Sequence, residues 1–187
     1  MKNSNSINKS KISQMASIGV MTAVICILGP LSIPIGVVPI SFTNLAIYIT
    51  LYTLGMKKGA MSFFIYLMVG FMGIPVFSNY RGGPSILLGP TGGYLIGFIF
   101  MALIAGYFID RFFNNFFLCI IGMILGTAVC YIFGTGWLAY QANITASEAL
   151  AVGVIPFIPG DLAKIIISAF IGPKIQYRLI KANLFQA

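Results

Sequence analysis

An acid and a base three residues apart, Asp161 and Lys164, stand in an otherwise apolar stretch near the end of the chain. Charges in such a stretch are costly and mark functional sites by default. Their spacing puts both on one face of a helix. Two readings follow. The pair neutralises itself, with Asp161 capping its helix. Alternatively it lines a polar pocket, where a carboxylate accepts N–H bonds and an ammonium meets a carbonyl or an anion. A cap accounts for Asp161 but leaves Lys164 unexplained, which favours the pocket. The other two acids have local explanations. Glu148 closes a capping box, Thr145-Ala146-Ser147-Glu148, with a hydroxyl at the N-cap and a carboxylate three residues on. Asp110 adjoins Arg111 as a solvated pair at a helix end. There is no histidine, and Cys26, Cys119 and Cys130 are isolated in apolar stretches. No catalytic residue, metal site, cofactor or disulfide framework is expected from such a set.

The segment from Gly73 to Phe98 is the most distinctive, with Gly82-Gly83-Pro84 followed by Gly89-Pro90-Thr91-Gly92-Gly93. Its glycines permit unusual backbone angles and close approach of a ligand. Free N–H groups at Gly92, Gly93 and Tyr94, where a helix begins, could bind an anionic or carbonyl group. No Gly-Lys-Ser/Thr follows, so it is not a nucleotide-binding loop. A purely structural turn is the plainer alternative. Asn79 and Arg81 add an amide and a guanidinium to the same segment.

The elements that must position these residues are membrane helices. Of 187 residues, 59% are hydrophobic and only 7% charged, against about a quarter charged in a soluble domain. Apolar stretches run over about 12–28, 40–56, 59–73, 91–109, 116–134 and 149–171. At roughly 20 residues per span they predict an all-α integral membrane protein of six transmembrane helices, a single domain over residues 1–187. A polar N-terminus (1–11) and a Gly/Pro-rich substrate loop (74–90) flank the spans. No A-x-A-like cleavage site follows the first stretch, which is therefore expected to remain as a helix. The last stretch is broken by Pro156, Pro159 and Gly160. The preferred reading is a short helix from the capping box, a break, and a second helix from Gly160 towards Leu184, kinked at Pro173.

The net charge of +8 then becomes a topology signal, with no need of nucleic acid as a partner. With six spans, nine of the eleven basic residues (all but Arg81 and Lys164) fall on one side. That side is expected to be the cytoplasm, with both termini, and the 74–90 loop is expected outside. On the first helix, Ala16, Gly19 and Ala23 form a small-residue face that lets helices approach closely in lipid. It serves either packing within the chain or docking on a partner.

Three runs of residues carry a family resemblance: Gly73-Ile74-Pro75-Val76-Phe77, Leu88-Gly89-Pro90-Thr91-Gly92-Gly93-Tyr94-Leu95-Ile96-Gly97-Phe98, and Ile158-Pro159-Gly160-Asp161-Leu162-Ala163-Lys164. In this order they resemble the BioY family, the biotin-specific substrate-binding (S) components of energy-coupling factor transporters. The resemblance implies a six-helix fold in the cell membrane that takes biotin from outside and has no enzymatic activity of its own. It also implies a transmembrane coupling protein and two cytoplasmic ATPases as partners. Asp161, Lys164 and the Gly92-Gly93-Tyr94 motif match the family pattern directly. Family members can dock on the coupling protein through a small-xxx-small face of the first helix, and here Gly19 stands where alanine is more usual. Around Asn79-Tyr80-Arg81 the family often has small residues, so binding roles there rest on chemistry. The ureido ring of biotin has two N–H donors and a carbonyl, which Asp161, Asn79 and Lys164 could answer. Phe77 and Tyr94 could wall its apolar part. The alternatives are an S component for another vitamin, or an intramembrane lipid-modifying enzyme using Asp161 and Lys164 as acid and base.

Overall fold

In lipid a helix satisfies its own backbone groups, so long uncharged runs become helices. The structure, a computed structural model, describes residues 3–34 and 38–182, with side chains from Lys11 onward. Among these residues the chain forms α1 (Asn3–Leu28), β1 (Ser32–Ile33), β2 (Ile40–Ser41), α2 (Thr43–Phe71), α3 (Pro84–Leu88), α4 (Gly92–Arg111), α5 (Phe116–Ala142), α6 (Ala146–Gly153) and α7 (Ile158–Lys181). The only sheet among them is the antiparallel β1–β2 pair, with Ser32 opposite Ser41. Three helices are long and apolar enough to cross a membrane: α1 from Lys11, α4 and α5. The pair α6 and α7, bent by 50°, passes as a fourth. The protein is a nearly all-helical, multi-pass membrane protein.

The largest departure from the expected elements is α2. The sequence predicts helices over 40–56 and 59–73, parted by Lys57-Lys58. Ile40 instead belongs to β2, and the chain turns two residues before the lysines, at Gly55 (φ 76°, ψ 176°). A Cβ on Gly59 would lie 3.4 Å from the Cα of Leu51, whereas eight residues of straight helix span about 12 Å. The chain therefore doubles back, and α2 is a hairpin of two legs. The positive φ favours glycine. Asp110 of α4 secures the turn by accepting the Met56 N–H at 2.9 Å. Expected only as the solvated partner of Arg111, Asp110 is a helix cap acting across 54 residues.

The hairpin packs against α1, α4 and α7, with Tyr48, Tyr52, Phe63 and Tyr66 almost wholly buried. Helix α1 offers it Ser17, Met21 and Ile25, spaced by four along one face. Ala16, Gly19 and Ala23 lie on the outer, exposed face. A Cβ on Gly19 would meet nothing within 4 Å, so among the described residues that face packs against no other part of the chain.

Three boundaries move. Helix α5 runs past Gly134, its predicted end, and that glycine makes room for the ring of Tyr94. It stops at Asn143, which takes a left-handed conformation (φ 52°). The 74–90 segment contains the short helix α3. Helix α7 starts at Ile158, with Pro159 in its first turn, and continues through Pro173. Its expected extension to Leu184 lies outside the described residues. The capping box at α6 forms as predicted. Thr145 Oγ1 accepts the Glu148 N–H at 3.3 Å, and Glu148 Oε2 accepts the Thr145 N–H at 2.8 Å.

Candidate functional site

The break between α6 and α7 directs the first turn of α7 into the bundle, where the Asp161 N–H donates to the Phe157 carbonyl at 2.8 Å. The Asp161 side chain is only 8% exposed as a residue, and Lys164 7%. Oδ1 of Asp161 accepts from Lys164 Nζ at 2.9 Å and from Asn44 Nδ2 of α2 at 2.8 Å. Oδ2 accepts from the Tyr131 hydroxyl of α5 at 2.6 Å. Lys164 Nζ also donates to the Ser41 carbonyl of β2 at 2.7 Å. A buried ion pair is tolerable only when further hydrogen bonds satisfy both charges, and here each charge has them. The capping reading of Asp161 falls away, because no side chain caps α7. The pair is self-neutralising and also lines a cavity.

That cavity has a volume of about 170 Å³. Its floor is the Asp161 network. Its walls include Val38, Phe77, Leu95, Phe98 and Phe157, and Asn79, Arg81 and Thr91 stand among its polar lining. Behind the floor, the Tyr48 hydroxyl lies 2.6 Å from Thr127 Oγ1, and Thr127 also lines the cavity.

The rim is a tight turn. Phe77 and Arg81 form an antiparallel bridge, exchanging backbone hydrogen bonds of 2.9 and 3.3 Å. Asn79 and Tyr80 take positive φ, 61° and 55°. Asparagine tolerates this conformation well, whereas tyrosine adopts it at a cost. Ser32 ties the turn to β1, donating to Asn79 Oδ1 at 2.8 Å, and the Asn79 N–H bonds back to Ser32 Oγ at 2.9 Å. Phe77 is buried edge-on against Tyr66, with centroids 5.6 Å apart. Arg81 is exposed at the mouth.

The sequence-predicted residues Asp161, Lys164, Asn79, Arg81, Phe77 and Tyr94 thus meet at one cavity. Gly92 and Gly93 do not line it. A Cβ on Gly92 would collide with the Leu87 carbonyl, and one on Gly93 with Trp137. Their smallness allows α3 and α5 to close on the start of α4. Two of the three expected N–H groups are also spent there, with Gly92 donating to Gly89 O at 3.0 Å and Tyr94 to Thr91 O at 3.2 Å. The Tyr94 hydroxyl donates to the Gly153 carbonyl at 2.9 Å. Two residues escaped the sequence reading, Asn44 and Tyr131. A lone amide in an apolar stretch was a signal for Asn44. Nothing in the sequence separates Tyr131 from the other eight tyrosines.

A buried, hydrogen-bonded ion pair under an apolar-walled cavity, in a multi-pass helical bundle, defines a membrane protein built to hold a small amphipathic molecule. The chain belongs to the BioY family, whose profile matches residues 1–181. It is 33% identical to the biotin transporter BioY of Thermotoga maritima, over 87% of this chain and 95% of that protein. With the biotin transporter BioY of Rhizobium etli it shares 36% identity, over 84% and 89% respectively. Among solved structures it resembles the S-component for biotin from an ECF-type ABC transporter, with a TM-score of 0.83 and 34% identity. That likeness covers 91% of this chain and 94% of the other. These relatives are transport proteins, and the intramembrane-enzyme alternative is set aside.

Proposed function

We propose that this chain is the biotin-capturing S component of an energy-coupling factor transporter. The observation that carries this reading is the Asp161 network at the floor of an apolar-walled cavity, in a chain of this family. Desolvation orients the ligand. Burying a carboxylate costs far more than burying a neutral urea. The ureido ring therefore goes down to Asp161 and Lys164, and the tail carboxylate stays at the mouth near Arg81. Asn79 faces the cavity from the rim, and Phe77 and Tyr94 flank the apolar middle.

The α2 hairpin supports a count of six spans: α1, two legs of α2, α4, α5, and α6 with α7. Each leg is shorter than the roughly 20 residues of a full span. The Met56–Asp110 bond brings Lys57, Lys58 and Arg111 to one end of the bundle. By the positive-inside rule that end, and both termini, are cytoplasmic, and the cavity mouth with the 74–90 loop is outside. The exposed Ala16, Gly19 and Ala23 face docks on the transmembrane coupling protein, and two cytoplasmic ATPases supply the energy.

Competition on the purified chain tests the substrate. Unlabelled biotin is expected to displace labelled biotin, and other vitamins are expected to leave it bound. Displacement by another vitamin at lower concentration would make this an S component for that vitamin.

A further inference from the structure

The hydrogen bonds at the floor can be counted against its capacity. A carboxylate offers about four lone-pair sites, two on each oxygen, and an ammonium offers three donors. Among the described residues Oδ1 of Asp161 holds two donors, from Asn44 and Lys164, and Oδ2 holds one, from Tyr131. One acceptor place remains, on Oδ2. Lys164 Nζ spends two donors, on Asp161 and on the Ser41 carbonyl. One donor remains. The Asp161–Lys164 pair thus presents a single acceptor beside a single donor, which matches an N–H next to a C=O along one edge of a cyclic urea or lactam. The second N–H of Asn44 Nδ2 adds a further donor at the floor.

We infer that Tyr131 sets this complementarity, as a specificity-determining residue that acts through Asp161. It comes from α5, whereas Asp161 and Lys164 share α7 and Asn44 comes from α2. Its hydroxyl fills one place on Oδ2 and fixes the plane of the carboxylate, so that the remaining place faces the cavity both residues line. Without the hydroxyl, Oδ2 has two open places and the carboxylate can turn. The site then accepts an N–H less well and discriminates less against a ligand that lacks one.

The inference rests on the biotin reading, and its test keeps the two apart. Tyr131→Phe, Asp161→Asn and the double variant are compared with the unaltered protein in detergent, with folding checked by thermal melting. Each is titrated with biotin and with biotin methylated on both ureido nitrogens. Tyr131→Phe is expected to weaken biotin binding about ten- to hundredfold, the worth of a hydrogen bond to a charged group. It should change binding of the methylated ligand about twofold at most, since that ligand cannot use the N–H contact. The double variant should bind biotin no more weakly than Asp161→Asn alone, as expected when one residue acts only through the other. Equal weakening of both ligands, additive losses, or unchanged biotin affinity in Tyr131→Phe would each overturn the role given to Tyr131. If the methylated ligand binds too weakly to measure, additivity decides. Failure of the folded, unaltered protein to bind biotin overturns the biotin reading, and this inference with it.

Discussion

The floor and the rim of the cavity both present polar groups to the same space, but they are held in different ways. The floor draws on three helices: Asn44 from α2, Tyr131 from α5, and Asp161 with Lys164 from α7. Its side chains are locked by bonds of 2.6 to 2.9 Å to one another and to β2. The rim is a turn closed by two backbone hydrogen bonds and tied to β1 through Ser32. Groups carried by helices are placed more rigidly than groups on turns. Removing a floor group leaves buried partners unsatisfied, whereas a rim group leaves partners that water can reach. The floor should therefore dominate stability and recognition, and the rim should tune them.

Lys164→Met gives the largest expected effect, because it strands Asp161 as an uncompensated buried charge. A loss of about 3–5 kcal/mol in stability is expected, read from unfolding in detergent. Asp161→Asn keeps the shape of the floor but loses its anionic acceptor. A fall in biotin affinity of about a hundredfold or more is expected by equilibrium dialysis, in proportion to a buried charged contact. Unchanged affinity would remove Asp161 from the site. At the rim, Asn79→Ala should cost about tenfold in affinity. A loss greater than that of Asp161→Asn would invert the ranking of floor over rim. Arg81→Gln should cost only a few-fold, and the difference should shrink as salt rises, since an exposed charge is screened. Gly19→Leu, on the outer face of α1, should leave biotin binding unchanged while abolishing uptake in cells that supply the coupling protein and ATPases. Reduced binding in that variant would mean that this face matters within the chain itself.

The floor was half legible in the sequence. Asp161 and Lys164 stand out because charge is rare among apolar residues, and a three-residue spacing is a local fact. Their partners come from 30 and 117 residues away, and no local pattern encodes that distance. Asn44 gave a weak signal, and Tyr131 gave none. The glycines of the 89–93 run were legible as important, but their packing role was not. They make room for Leu87 and Trp137, a demand that only the packed bundle reveals. The same holds for α2. Lys57-Lys58 looks like the punctuation between two helices, but the turn is made by Gly55, and its closing contact, Asp110, belongs to another helix. The capping box at Thr145, by contrast, was fully legible because all of its atoms lie within four residues.

The most direct test of the central claim is calorimetric titration of the purified, folded chain with biotin in detergent. Saturable one-to-one binding, weakened about a hundredfold or more in Asp161→Asn, is the expected result. Absence of binding by a sample that still melts cooperatively would contradict the assignment of this cavity to biotin.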